Sequence, residues 1–194
     1  LEAWLGAVIS VVIIKSGIEM LRDTLSEILG ERADASLARQ IKDTVLSFEE
    51  VKGVFDLVLN NYGPDIYNGS LHISIRDTLL VNELDELIRA ITEKVYFEHN
   101  IILTAIGIYS INTQNENVIE MRERISQAVL EDENILEFHG FYIYEEKKTI
   151  RFDLVVSLGS KDRTEIFCRA ISRVKELYPD YEVIATLDTD FSEE

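Results

Sequence analysis

The residues able to do chemistry are few and of one kind. There are three histidines (His72, His99, His139) and one cysteine (Cys168) among 36 acidic residues. Imidazole and carboxylate together serve proton transfer or the binding of divalent ions. Asp188 and Asp190 lie two apart in the run TLDTDF. On a strand both would leave the same face, roughly 7 Å apart. They read either as cation ligands or as a solvated acidic tail. His72 alternates with Leu71 and Ile73 and points away from them, which suits exposure, a dimer contact or a metal. His139 lies between Phe138 and Phe141, as a satisfied, partly buried imidazole or a ligand. His99, beside Asn100, reads as surface, and Cys168, beside Phe167 and Ile171, as a core thiol. Asp85 and Glu165 each follow a capping residue (Asn82, Asp162) by three positions, so both serve a helix start as capping-box acids without any metal. The chain has no glycine-rich phosphate loop, no persuasive Ser/Cys–His pairing and no zincin spacing, so it reads as a non-enzyme.

The elements holding these residues come from an ordinary globular composition, 46% hydrophobic and 28% charged over 194 residues. The net charge of −17 repels phosphate backbones, and no basic stripe offsets it, so nucleic acid is excluded as a partner. A single cysteine excludes a disulfide framework. Residues 3–14 (AWLGAVISVVII) carry no charge. They fit the end of a transmembrane helix, with the chain a fragment of a longer protein, or else a buried or partner-packed amphipathic helix. Beyond Lys15, Ile18, Leu21, Leu25, Ile28 and Leu29 keep helical spacing as far as Gly30.

From residue 31 the order helix, strand, strand, helix, strand occurs twice. The first copy has a helix capped at Asp34 with Leu37, Ile41 and Val45 on one face. Strands 54–59 and 70–76, a helix with Leu84, Leu87, Ile88, Ile91 and Val95 inward, and strand 101–111 follow. The second has helix 118–130, strands 135–144 and 149–157, helix 162–177 and strand 182–190. Arg89-Ala90-Ile91 matches Arg169-Ala170-Ile171, and TAIGIY from Thr104 aligns with TLDTDF from Thr186. The expected fold class is α+β: two tandem ferredoxin-like αββαβ domains, 31–112 and 113–194, behind an N-terminal helix at 1–30. The helix-free sheet face of each copy must be polar or covered, by the sister copy or by a second chain.

Residues 3–110 resemble the cation diffusion facilitator (cation efflux) family. The resemblance is carried by an apolar helix leading into SGIEMLRDTLSEILG, by Gly53-Val54-Phe55-Asp56-Leu57, by Tyr62-Gly63-Pro64 and by a strand bearing His72. It implies a divalent-cation:proton exporter that works as a homodimer, with a cytoplasmic domain that supports dimerisation and often binds metal. The transport site would lie on earlier transmembrane helices. The chain departs from the family pattern where Phe55 replaces a usual histidine, Asp85 stands for another, and Ile106 and Ile108 occupy ligand positions on the last strand. The first copy thus retains His72 and Asp85.

Carried through the internal alignment, Asp153 stands for His72, Glu165 for Asp85, Asp188 and Asp190 for Ile106 and Ile108, and His139 lies near the place of Phe55. One imidazole with four carboxylates suits Mn²⁺, Fe²⁺, Zn²⁺ or Co²⁺ better than Cu(I). The resulting expectation is a dimerisation and metal-responsive regulatory region at the cytoplasmic face of the cell membrane. The competing reading is a soluble ferredoxin-like effector-binding module with no membrane link, and burial of the opening helix would favour it.

Overall fold

The computed structural model describes residues 2–29, 35–61 and 67–189. It is a mixed α+β protein with an N-terminal helix and two three-stranded sheets. Helix α1 runs Glu2–Leu29. Then come α2 (Ala35–Leu46), β1 (Gly53–Asn61), β2 (Tyr67–Arg76), α3 (Val81–His99) and β3 (Ile101–Ile111). The second set is α4 (Glu116–Leu130), β4 (Ile135–Tyr144), β5 (Thr149–Val156), α5 (Arg163–Leu177) and β6 (Glu182–Asp188). In each sheet the first two strands pair antiparallel, and the third lies parallel to the second across a helical crossover. The expected capping residue Asp34, the Tyr62-Gly63-Pro64 turn, Gly30 and Asp190 lie outside the described residues.

Each half has its own apolar core. In the first, Ile41 and Val45 of α2 and Leu87, Ile91 and Val95 of α3 pack on Leu71, Ile73 and Ile75. In the second, Ile125 and Val129 of α4 and Ile166, Ala170 and Val174 of α5 pack on Ile150, Phe152, Leu154 and Val156. On β5 the outward residues Asp153 and Val155 are buried as well. The reason is that the helix-free faces of the two sheets meet: Phe55 of β1 stacks on His139 of β4 at 4.9 Å, and Tyr109 of β3 packs on the same imidazole at 5.4 Å. The sister copy, rather than a second chain, covers this part of the face.

The residues of α1 from Trp4 to Arg22 are 0% buried and have mean hydropathy 1.7, so by length and composition this stretch could cross a membrane. At ~1.5 Å rise per residue the 28-residue helix is about 42 Å long. Water-exposed Val8, Ile9, Val12 and Ile13 gain nothing from this chain's own cores. A helix buried within the protein is therefore not what α1 forms.

Three local expectations are corrected. Helix α3 starts two residues earlier than the Asn82 cap implies, with Leu80 as its capping residue, and Glu83, not Asp85, reaches back to the Leu80 N–H (2.9 Å). His99 is not a surface residue: its side chain is 11% exposed and its Nε2 lies 2.8 Å from the Thr44 hydroxyl, tying the ends of α2 and α3 together. Cys168 is exposed, because the core face of α5 runs through Ile166, Ala170 and Val174 instead.

Candidate metal centre

The site lies where the two sheets meet, and two matching backbone irregularities build it. On β1 the register shifts after Phe55, and Asp56 takes a left-handed conformation (φ 53°). On β4 it shifts after His139, and Gly140 takes φ 61°. Such bulges re-aim side chains. Asp and Gly are among the residues that tolerate positive φ best. In register, Phe55 pairs with His72 and His139 with Asp153, so the two halves superpose at this point. The first bulge supplies a carboxylate and the second an imidazole.

Three ligand-type atoms converge, one each from Asp56, His139 and Asp188, all within 4.8 Å of one another. His139 Nε2 lies 3.4 Å from Asp56 Oδ1 and 3.4 Å from Asp188 Oδ2. The His139 side chain is fully buried; Glu137 Oε2 lies 3.7 Å from its Nδ1, and neither ring nitrogen makes an aligned hydrogen bond among the described residues. Buried polar atoms left this way are costly, and each asks for an explanation. An ion bonded to Nε2 and both carboxylates would supply one. The donor set, one nitrogen and two oxygens, fits a borderline or hard divalent ion. His72 Nδ1 lies 3.0 Å from Asp56 Oδ2, without hydrogen-bond alignment. The Tyr109 hydroxyl donates to that same oxygen at 2.8 Å. Asp153 sits beside the triad, buried, with Oδ1 lacking a hydrogen-bond partner among the described residues. A cleft of about 600 Å³, lined among others by His72, Tyr109, Asp153 and Asp188, opens to solvent at the site.

The charges are coupled to this geometry. Burial would raise the Asp56 carboxyl, but His139, His72 and Tyr109 together hold it well below the usual carboxylate range. Burial disfavours a charged His139, yet Asp56, then Glu137 and Asp153, push its pKa above the ordinary histidine value. Burial first, and then the negative charge of Asp56, push Asp188 upward. Burial and Asp56 also raise the Tyr109 phenol, so it remains a donor.

The structure thus brings together His139, Asp188, Asp153 and His72 from the sequence-derived set. Asp85 and Glu165 are elsewhere. Asp85 pairs with Arg89 at 2.9 Å on an exposed helix face. Glu165 lies exposed 3.8 Å from Arg169, and the Asp162 side chain caps its N–H at 2.9 Å. The alignment of the last strands is also corrected. His72 pairs with Gly107 and Asp153 with Thr186, so Asp188 corresponds to Tyr109 rather than Ile106. Sequence reasoning passed over Asp56 and Tyr109 as site residues. Asp56 had a signal, as the one charged residue in the strand run VFDLVL.

No family model matches the chain. It is similar to Metal tolerance protein 2 of Oryza sativa subsp. japonica, with 27% identity over 120 residues. That stretch is 61% of this chain and 31% of that protein, so the chain spans about a third of its relative's length. The match supports a cation diffusion facilitator relationship.

Proposed function

We propose that this chain, related in this way to the cation diffusion facilitators, is the cytoplasmic regulatory region of a divalent-cation efflux transporter. In this reading residues 1–30 end a membrane anchor, and 31–112 and 113–194 are tandem ferredoxin-like domains. Cation:proton exchange belongs to the longer protein, on transmembrane helices before α1. The exposed apolar stretch of α1 favours this over an effector-binding module with no membrane link. The chain's own residues would bind and report the ion. Asp56 belongs to the first half, and His139 and Asp188 to the second. An ion held by all three would tie the halves together and bias the population of their arrangements.

The observation that carries the reading is His139: a buried imidazole with no aligned hydrogen bond at either nitrogen among the described residues, its Nε2 aimed between two carboxylates. Calorimetric titration with Zn²⁺, Mn²⁺, Fe²⁺ and Co²⁺ tests it. The expected result is one ion per chain for at least one metal, with heat lost in His139→Ala and in Asp188→Ala. No heat with any of the four, or heat unchanged in both variants, would overturn it. The family resemblance also implies a homodimer. Light scattering of the protein in detergent should then give twice the chain mass, and a monomer would count against that part.

A further inference from the structure

We infer that Tyr109 is a positioning residue that presents Asp56 as a one-oxygen ligand and so tunes the centre to small divalent ions. The inference rests on the metal reading above. The Asp56 carboxylate has its two oxygens in different surroundings. Oδ2 accepts the Tyr109 hydroxyl (2.8 Å) and has His72 Nδ1 at 3.0 Å. Oδ1 is buried, has no hydrogen-bond partner among the described residues, and faces His139 Nε2 at 3.4 Å. Asp188 is divided in the same way: its Oδ1 accepts the Thr189 N–H at 2.7 Å, while Oδ2 faces His139 at 3.4 Å. Each carboxylate therefore has one oxygen engaged by the protein and one turned toward the imidazole.

The hydroxyl is held where it can do this. The Tyr109 ring stacks on His72 at 4.6 Å and meets Phe55 edge-on at 6.1 Å. A Cβ added at Gly140 would lie 3.1 Å from the Tyr109 ring. On the other side the His72 ring is pressed against Gly107, where an added Cβ would overlap it. Ca²⁺ takes about 6–8 oxygens, often from bidentate carboxylates. Zn²⁺ is satisfied by about four ligands. Two carboxylates limited to one bond each serve the second kind of ion and poorly serve the first.

Tyr109→Phe keeps the ring and removes only the donor. Zn²⁺ affinity, Ca²⁺ competition and the visible spectrum of bound Co²⁺ are measured on wild type and variant, with melting curves to verify folding. Wild type should give the intense visible bands of low-coordinate Co²⁺ and resist Ca²⁺. In the variant, Zn²⁺ affinity should fall about 10–100-fold, the usual effect of losing a hydrogen bond to a ligand. The Co²⁺ bands should weaken as Asp56 becomes free to bind through both oxygens, and Ca²⁺ should compete better. Equal losses for Zn²⁺ and Ca²⁺ with an unchanged Co²⁺ spectrum would mean that Tyr109 only supports the fold, and would overturn the inference. Unchanged affinity and spectrum would overturn it too. A wild type that binds neither Zn²⁺ nor Co²⁺ would instead remove the metal reading beneath it.

Discussion

At the scale of single residues, His139 sits between two chemical states, and pH separates them. Its raised pKa means that it adds stability below its unfolded value of about 6.5 and loses that stability as pH climbs through the folded value. Asp188, also raised, adds stability below about 3.9 that fades as pH rises through its own folded value. Asp56 is lowered and acts oppositely, stabilising above about 3.9 and losing that as acid takes pH through its folded value. Of these three groups, His139 is the one whose unfolded value lies near neutrality. The metal-free protein should therefore lose Tm between pH 6 and pH 8 relative to His139→Gln, measured by calorimetric melts. A divalent ion needs the imidazole neutral, so its stabilisation should grow over the same interval. If the wild-type Tm rises relative to the variant from pH 6 to 8, His139 does not carry a proton between those carboxylates.

At the scale of elements, the strands and helices were legible in the sequence because their signals are local. Leu71, Ile73 and Ile75 alternate, Leu87, Ile91 and Val95 keep helical spacing, and all are buried where expected. The two bulges were not legible, since Gly140 and Asp56 in a strand run do not announce a positive φ. Those bulges decide the site: they turn Asp56 and His139 toward each other across two sheets, a contact spanning the whole first crossover and the connector. The error in aligning the last strands has the same origin, because parallel register is set by packing and not by matching letters. Gly140→Ala tests the bulge. A left-handed residue with a Cβ costs roughly 1–2 kcal/mol, and here that Cβ would also lie 2.7 Å from Asp153 Oδ2. The expected outcome is a Tm lowered by several degrees together with weaker Zn²⁺ binding. Gly159→Ala, whose added Cβ meets only the Ser157 hydroxyl at 3.6 Å, should change neither.

At the scale of the molecule, the centre is divided between halves joined by a connector that is itself fastened at both ends. The Asn112 side chain acts like a strand partner for Ile143, accepting its N–H at 2.9 Å and donating to its carbonyl at 3.2 Å. Asp77 accepts both the Thr113 N–H and hydroxyl, at 3.3 and 2.7 Å. The connector therefore reaches from β4 of the second half back to the end of β2 in the first. A tether this short holds the partners at an effective concentration of about millimolar or more, far above any working protein concentration. Asp56 should meet the His139 of its own chain, even if the protein dimerises through other surfaces. Zn²⁺ affinity per chain should then be independent of protein dilution. The sharper test mixes Asp56→Asn chains with His139→Ala chains in equal amounts. If halves exchanged between chains, a mixed pair would bring an intact Asp56 to an intact His139 and recover strong binding. The expected result is no recovery, because the intact Asp56 and the intact His139 stay on different chains.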